Sequence, residues 1–380
     1  MAANQVATNF YNAFVNYLQS ESGEIKQAKS ALKSYMSKNF NLKFSGTPGI
    51  VSNAYGTSNQ PIKNDGSGDP LHADGIPNGR SNAMKRFKAL RKEITTNFVE
   101  VDFVMGGELG TALTITDPVT WAYVPNTDRV AILSDHFATA KNTGNDFRLD
   151  VASFFTVGNK DKVNDFEMRF DSYVMSQAMS GTEPLIANPD MDEAMEGYRD
   201  STVTTEQALN GTFTFFSTFA QAVPPDPDAL DVVAEVLTDE VRVKFQGDPN
   251  YQLSARDEIV TGVDNYLSVQ KGSWVQSVSE IFTMEEIFVL DDVSIANYKE
   301  QRITSGPGFV EDGYGQNLGN RFTMDAAIIT YIQNNEDSNS SVAQLTSSTE
   351  GLFDTSPIVQ ATYGSLPFPI ATQNYVGPLV

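Results

Sequence analysis

Two stretches of nine residues, one in each half of the chain, match closely enough to indicate an internal duplication. Gly144–Ala152 (GNDFRLDVA) and Gly319–Ala327 (GNRFTMDAA) are identical at five of nine positions and lie 175 residues apart. Phe40–Gly46 and Val241–Gly247 both have apolar residues at every second position, and both end at a Gly-x-Pro turn. That alternation is typical of a half-buried strand. Self-similarity on this scale predicts one fold that occurs twice.

The separation between matched stretches changes along the chain, and these changes locate insertions. Val130–Asp135 resembles Ile287–Asp292 at a separation of 157 residues, whereas Phe40–Gly46 and Val241–Gly247 are separated by 201 residues. The differences predict insertions at residues 47–80 and 106–126 of the first copy and at 303–318 of the second. These segments contain Gly, Pro and Asn clusters, which are typical of surface loops.

Each copy has the same predicted order of elements, with helices first and a run of antiparallel strands after them. In the first copy we predict helices near residues 6–17, 24–36 and 81–94, with strands at 40–44, 97–104, 109–116, 129–140, 146–157 and 164–175. In the second we predict helices near 205–220, after Asp226 and at 257–267, with strands at 241–245, 273–282, 285–297 and 320–332. Helices followed by a long antiparallel sheet predict an α+β fold.

Composition limits the classes of function. With 26 Lys and Arg against 48 Asp and Glu, the chain of 380 residues has a formal net charge of −22. A polyanion of this size repels phosphate groups, so neither nucleic acid nor an anionic membrane is expected as a partner. The chain has no Cys and only two His, which excludes disulfides, thiolate chemistry and a multi-histidine metal centre. We predict no metal site and no cofactor.

The sequence also predicts where the domains begin and end. We expect a first domain over residues 1–185 with the insertion at 47–80, a linker at 186–203, a second domain at 204–345 and an extended apolar tail at 346–380. The amino terminus lacks the basic and apolar regions of a secretory signal, and no apolar run approaches the length of a membrane span. We therefore expect a soluble, cytoplasmic protein, although a removed leader would leave the same sequence.

Three passages carry a resemblance to a known superfamily. They are the stretch at 237–267 (LTDEVRVKFQGDPNYQLSARDEIVTGVDNYL), the stretch at 318–332 (LGNRFTMDAAIITYI) and the stretch at 143–175 (TGNDFRLDVASFFTVGNKDKVNDFEMRFDSYVM). Together they resemble SnoaL-like domains of the NTF2-like superfamily, present twice in tandem. The second copy departs from the pattern, because the polar residues 333–351 stand where a closing strand is expected.

The resemblance implies a curved antiparallel sheet wrapped around three helices in each copy, with a cavity between them. Members of the superfamily include isomerases, cyclases, dehydratases and epoxide hydrolases, together with non-catalytic transport and assembly modules. Such domains commonly pair through the outer face of the sheet. We therefore expect self-association, either through a sheet face or through the apolar tail.

Asp135 and His136 form the pair of residues most suggestive of chemistry. Strand positions alternate between faces, so the two side chains should point to opposite sides of the sheet. Whichever of them faces inward could act alone as a general acid or base. The alternative is a hydrogen-bonding or interface role at the sheet surface. The second copy has Asp291 and Asp292 at the position that the alignment matches, and no His.

Other residues have both a binding and a structural interpretation. Asp150 and Asp325 correspond in the duplication, and Arg148 is placed to form a surface ion pair with Asp150, which would contribute little. Aromatic side chains could line a pocket for a flat apolar ligand, or they could fill cores. The candidates for substrate binding are Trp121, Tyr123, Trp274 and Tyr298, with Tyr331 as a further aromatic residue.

Two functions remain open from the sequence. The first is a SnoaL-like pocket protein that binds a small apolar molecule, with an isomerase, cyclase or dehydratase as its catalytic form. A single carboxylate or His would then be the general base, and Tyr123 or Tyr298 could stabilise an oxyanion. The alternative is a non-catalytic structural or assembly protein, in which the loops and the apolar tail act as connectors.

Overall fold

The chain folds into two compact units in the computed structural model. Unit 1 comprises residues 1–109, 126–185 and 365–375, and unit 2 comprises residues 110–125, 186–364 and 376–380. The structure describes residues 1–44, 46–48, 79–117, 120–181, 199–222, 227–246, 260–276, 278–303, 319–337, 340–354, 370–372 and 376–378. The α+β class is confirmed, since both units combine helices with a mainly antiparallel sheet.

The described part of the chain contains the following elements. The helices are α1 (Ala3–Gln19), α2 (Ile25–Tyr35), α3 (Arg80–Glu93), α4 (Ser172–Ser180), α5 (Thr205–Gln221), a 3-10 helix (Pro227–Val236) and α6 (Val263–Gln276). The strands are β1 (Met36–Phe44), β2 (Gly46–Pro48), β3 (Ile94–Gly106), β4 (Thr111–Asp117), β5 (Ala122–Pro125), β6 (Arg129–Ala140), β7 (Asp146–Gly158), β8 (Lys162–Arg169), β9 (Leu237–Gln246), β10 (Val260–Thr261), β11 (Val278–Leu290), β12 (Val293–Ile303), β13 (Asn320–Asn334), β14 (Gln344–Phe353), β15 (Ile370–Thr372) and β16 (Val376–Pro378).

Unit 1 is built on a five-stranded sheet in the order β1-β8-β7-β6-β3. β1 runs parallel to β8, and the other neighbours are antiparallel. Helix α1 buries Val6, Phe10 and Phe14, whose spacing places them on one side of the helix. The centre of the core consists of seven Phe side chains that are at most 1% exposed. They are Phe10, Phe14, Phe40, Phe44, Phe87, Phe155 and Phe166.

Unit 2 repeats the five-stranded arrangement of unit 1 and extends its sheet with β10, β4 and β5. Its sheet has the order β10-β9-β14-β13-β12-β11-β4-β5, and β9 runs parallel to β14 as β1 does to β8. Thr204 caps α5 and Gln207 completes the capping box that the sequence predicts. A separate hydrophobic core lies between this sheet and the helices of unit 2.

The hairpin β4–β5 is the clearest departure from the predicted organisation. The sequence places residues 106–126 as an insertion within the first domain. In the structure β4 pairs with β11, so residues 110–125 belong to unit 2. Alternation of apolar residues predicts a strand correctly, but it carries no information about which sheet the strand joins.

Sheet order also corrects one alignment drawn from the sequence. Because β9, β14, β13, β12 and β11 follow one another as β1, β8, β7, β6 and β3 do, β6 corresponds to β12 and not to β11. Asp150 lies opposite Asp135, and Asp325 lies opposite Lys299. Lys299 therefore occupies the position of Asp135, whereas Asp291 and Asp292 lie at the turn between β11 and β12.

Other boundaries differ from the prediction at particular residues. The segment predicted as a strand at 273–282 contains the end of α6 and the start of β11, and 285–297 spans two strands. The predicted strand at 164–175 ends at Arg169 and is followed by α4. The helix after Asp226 is a 3-10 helix. A closing strand, β14, is present where the sequence lacks its usual pattern, so that expectation is wrong.

The described parts of the apolar tail pair with strands of this chain. β15 pairs with β2 within unit 1, and β16 pairs with residues 320–322 of β13 within unit 2. Residues 346–353 of the predicted tail belong to β14, so the described tail takes part in the folded structure at three places. Most of the predicted insertion at 47–80 lies outside the described residues.

Candidate functional site

Asp135 and His136 point to opposite faces of the unit 1 sheet, as alternation predicts. Both lie on β6, whose pairing with β7 has no bulge. His136 contacts Tyr11 of α1, so it faces the side of the sheet that the helices cover. Asp135 contacts Arg148 on the other side. The structure therefore separates the two residues, and no acid–base dyad can form between them.

On the inner face, Tyr11, Ser134 and His136 form a buried polar cluster. The Tyr11 hydroxyl lies 2.6 Å from His136 Nε2 and also hydrogen-bonds to the Ser134 hydroxyl. All three residues are buried, and Phe14 and Phe155 stand close to the Tyr11 ring. Their hydrogen bonds join α1 to β6.

Burial keeps this cluster neutral. It lowers the pKa of His136 to about 4 and raises the pKa of Tyr11 above its ordinary value. A neutral imidazole has one acceptor nitrogen, and a phenol has one proton to donate. When Tyr11 donates to Nε2 of His136, the histidine proton lies on Nδ1 and the Ser134 hydroxyl donates to Tyr11. All three side chains can therefore be linked by hydrogen bonds while each of them remains neutral.

The neutral state of His136 predicts a pH dependence of stability. Because its pKa falls from 6.5 in the unfolded chain to about 4 in the folded one, the unfolded state binds more protons between these values. The contribution is complete above pH 6.5 and is lost as the pH falls towards 4. We expect His136→Asn to reduce the loss of unfolding free energy between pH 7 and pH 4.5 by about 2–3 kcal/mol. Denaturant titrations of both proteins at the two pH values measure it, and equal losses would contradict it.

On the outer face, Arg148 lies between two carboxylates. Its Nη2 is 2.6 Å from Asp135 Oδ2, and its Nε is 2.8 Å from Asp150 Oδ1. All three side chains are at most 8% exposed, so the ion pair predicted for the surface is instead buried. The guanidinium also lies over the Phe137 ring, 5.5 Å from its centroid.

This cluster contains one cation, Arg148, and two acids, Asp135 and Asp150, so it has a net negative charge when both acids are ionised. Burial raises the pKa of Asp135, the neighbouring Asp150 raises it further, and Arg148 offsets these effects only in part. The two carboxyls face each other across β6 and β7, so ionisation of one opposes ionisation of the other. Asp135 is the carboxylate closest to Arg148, which already binds it. This arrangement favours a structural role for Asp135.

The inner face of the unit 2 sheet carries polar groups at the corresponding strand. Tyr298, Glu300 and Arg302 alternate along β12, which pairs with β13 in unbroken register, so they share one face. Tyr298 belongs to the buried core, which identifies that face as the inner one. By sheet position Tyr298 replaces Ser134 and Glu300 replaces His136. The sequence did not single out Glu300 and Arg302, although they follow Tyr298 by two and four residues on the same strand.

The surroundings of Tyr298 combine aromatic and charged groups. The Phe282 ring lies 4.7 Å from the Tyr298 ring and the Phe353 ring 6.4 Å from it, measured between centroids. Phe282 and Phe353 are only partly buried. Arg302 Nε lies 3.7 Å from Glu300 Oε1, and the two side chains are 6% and 14% exposed. Burial raises the pKa of Tyr298, Glu300 raises it further and Arg302 opposes them, so the phenol is neutral.

The other predicted binding aromatics lie elsewhere. Trp121 and Tyr123 belong to the hairpin β4–β5, and both contact Phe213 of α5. Tyr123 is 44% exposed. Tyr331 is buried on β13. The side chain of Trp274 lies outside the described residues. The ring contacts of Trp121 and Tyr123 are with Phe213, whereas those of Tyr298 are with Phe282 and Phe353.

Comparison with known proteins gives structural matches without a family assignment. No protein-family model matches the sequence, and no curated protein matches it. One similar structure is a protein provisionally called an isomerase from Rhodopseudomonas palustris, with 12% identity over 46% of this chain and 96% of that one, at a TM-score of 0.31. Another is an NTF2-like protein of unknown function from Burkholderia pseudomallei, with 14% identity, 47% and 98% coverage and a TM-score of 0.29.

A third similar structure is a protein provisionally called a SnoaL-like polyketide cyclase from Mesorhizobium loti, with 15% identity, 44% and 98% coverage and a TM-score of 0.25. These descriptions agree with the resemblance drawn from the sequence, and each match covers about half of the chain. At such scores and identities the likeness carries no argument about activity. The architecture stated above rests on the chain's own sheet order.

None of the helices in the described ranges combines the length and apolar character that a bilayer crossing requires. Within the same ranges, no three acidic, His or Cys side chains cluster as a metal-binding group.

Proposed function

We propose that this protein binds a small, largely apolar molecule at the inner face of the unit 2 sheet, around Tyr298. The observation that supports this most is the row of Tyr298, Glu300 and Arg302 on the face of the sheet that bears the hydrophobic core. Burying such groups costs free energy, and sites that bear that cost are often binding sites. The partly buried rings of Phe282 and Phe353 provide apolar surface beside the polar row.

The polar row suggests the chemistry of the ligand. Arg302 and the neutral Tyr298 hydroxyl are hydrogen-bond donors, and the Glu300 carboxylate is an acceptor. They suit a planar ring system that carries at least one oxygen, such as a carboxylate, a carbonyl or a phenol. The aromatic side chains would contact the ring, and the donors would orient the oxygen.

The catalytic form of this function, an isomerase, cyclase or dehydratase, needs a proton acceptor beside the bound molecule. In unit 2 we propose Glu300 for that role, with Tyr298 and Arg302 stabilising the oxygen on which charge develops. In unit 1 Tyr11 and His136 face the interior, and we propose that the Tyr11 hydroxyl takes a proton from the bound molecule as it passes its own proton to His136 Nε2. For Asp135, which Arg148 binds, we propose a structural role.

A binding experiment with a defined probe tests the proposal. We expect 2-naphthoate to raise the melting temperature of the wild-type protein by several degrees at a concentration of about 100 times its dissociation constant, which corresponds to about 2.7 kcal/mol. Arg302→Met should weaken binding at least tenfold, because it removes the donor to the carboxylate. Tyr17→Phe in unit 1 serves as the control for Tyr298→Phe, since both remove one phenol oxygen. Equal binding by Arg302→Met and the wild type would contradict the site.

A structural or assembly function is the second candidate, and the core of unit 1 favours it. Seven buried Phe side chains fill that core, so unit 1 behaves as a closed block. The tail contributes β15 and β16 to the fold. If the protein is a scaffold, deleting residues 356–380 should change its mass in solution or lower its melting temperature. Unchanged mass and stability would argue against the scaffold function.

A further inference from the structure

Positive charge is concentrated in one part of unit 1. The elements α2, β1 and α3 contain eleven Lys and Arg and only one acidic residue, Glu93. The remainder of the chain has 15 basic and 47 acidic residues. We call seven exposed or half-buried members of this group the basic face, leaving out Lys43 and Lys92, which pair with Glu167 and Glu93, and Arg91, which donates to the Ser20 carbonyl. It consists of Lys26, Lys29, Lys33, Lys38, Arg80, Lys85 and Lys88.

The structure brings the elements of the basic face together. Arg80, at the start of α3, donates from Nη1 to the Lys33 carbonyl at the end of α2, 3.4 Å away. The backbone of Gly79 donates to the Phe40 carbonyl of β1 at 2.8 Å. Lys26, Lys29 and Lys33 follow one another at helical spacing on α2.

The charges of the basic face are available to a partner. Among the described residues, Lys26, Lys29 and Lys38 form no ion pair, and all three are exposed. An unpaired cationic surface attracts an acidic partner and affects how fast and how specifically it binds.

Unit 2 carries the opposite charge at the equivalent elements. Its second helix and the strand after it, the 3-10 helix and β9, correspond to α2 and β1. They present an acidic face of exposed carboxylates, and Lys271 pairs with two of them, at 3.5 Å from Asp228 and 2.7 Å from Asp231. The acidic face consists of Asp228, Asp231, Glu235, Asp239 and Glu240.

We propose that the basic face of unit 1 docks on the acidic face of unit 2 in a second copy of this chain. Complementary charge on exposed, equivalent elements of the two units supports a second copy as the partner. Such a contact joins unlike surfaces, so it is heterologous and adds copies head to tail until a ring closes. An extended polyanion is a poorer fit, because the acidic remainder of the chain repels it beyond the basic face.

Salt provides the first test. At about 0.1 M salt the Debye length is about 10 Å, so facing charges attract while the distant negative charge is screened. At about 1 M the Debye length is about 3 Å and the attraction is lost as well. We expect sedimentation to give a weight-average mass above the 41.6 kDa of one chain at 0.1 M, rising with protein concentration, and 41.6 kDa at 1 M. A single chain under both conditions would overturn the proposal.

Charge reversal provides the decisive test. Lys26→Glu/Lys29→Glu lowers the summed charge of the basic-face residues from +7 to +3 and leaves the acidic face intact, whereas Glu235→Lys/Asp239→Lys changes that of the acidic-face residues from −5 to −1 and leaves the basic face intact. We expect each variant alone to remain at the mass of one chain, and an equimolar mixture to associate at 0.1 M salt. The control Glu206→Lys/Glu336→Lys changes charge equally at exposed positions outside both faces and should associate like the wild type.

Three results would overturn the proposal once circular dichroism shows that the variants are folded. The variants could associate alone as the wild type does, or their mixture could remain at the mass of one chain. The wild type could also bind vesicles of anionic lipid or a DNA duplex through Lys26 and Lys29 without associating with itself.

Discussion

Replacing Arg148 with Met is expected to lower the unfolding free energy of unit 1 by about 3–5 kcal/mol at pH 7. The substitution leaves Asp135 and Asp150 buried opposite one another without the cation that both contact. Two facing carboxylates in a medium of low polarity repel one another and lack compensation for lost hydration. Denaturant titration followed by circular dichroism measures the loss.

The pH dependence of that loss identifies its cause. Without Arg148 the pKa of the buried Asp135 carboxyl lies further above its unfolded value, so its ionised form opposes folding. The deficit should therefore be largest at pH 7 to 8 and shrink as the pH falls towards 5. Adding Asp135→Asn and Asp150→Asn to the variant should recover most of the stability at pH 7. A deficit that is the same at every pH and in the triple variant would contradict an electrostatic origin.

Replacing Phe166 with Ala is expected to cost about 3–5 kcal/mol, since it opens a cavity at the centre of the unit 1 core. The Phe166 ring lies 5.1 Å from Phe10, 5.3 Å from Phe14 and 4.9 Å from Phe155, measured between centroids. Circular dichroism during denaturant titration follows the loss of the unit 1 sheet. Both tryptophans of the chain belong to unit 2, so their fluorescence reports that unit separately.

Phe98 provides the matched control for Phe166. It is 50% exposed and stacks on Phe137 at 4.0 Å on the edge strand β3. Phe98→Ala removes the same atoms but opens no closed cavity, so we expect a cost below about 1 kcal/mol. Similar costs for the two variants would contradict a core centred on Phe166.

The sequence predicts those elements whose apolar spacing is strong. The bounds of β6 agree with the prediction, and α3 begins and ends within one residue of it. The α+β class follows from the element order, and both units confirm it. The opposite faces of Asp135 and His136 follow from strand alternation alone, whereas their partners Arg148 and Tyr11 depend on how distant segments pack.

The prediction fails where buried residues are polar. The strand β14 places Thr346, Ser347, Ser348 and Thr349 between β13 and β9, and all four are buried. Ser347 meets its hydrogen-bonding need by donating to the Tyr331 carbonyl of the neighbouring strand at 3.1 Å. A strand of this kind has no apolar alternation to recognise.

The candidate site in unit 2 was only partly predictable for a similar reason. The aromatic character of Tyr298 suggests a binding residue, but the sequence pattern around Glu300 and Arg302 is typical of the exposed polar end of a strand. Their burial depends on which strands lie on either side of β12, and sheet order supplies that information. The hairpin β4–β5 joins unit 2 for the same reason, since the partner of a strand is a long-range property.

Hydrogen exchange in wild type and Phe166→Ala tests most directly the claim that one helix-and-sheet unit occurs twice, each time with its own core. The expected result is loss of amide protection in β6, β7 and β8 of the variant, with protection in β12, β13 and β14 unchanged. Equal loss of protection in both sets of strands would mean that the halves share one cooperative core, and the account of two units would be wrong.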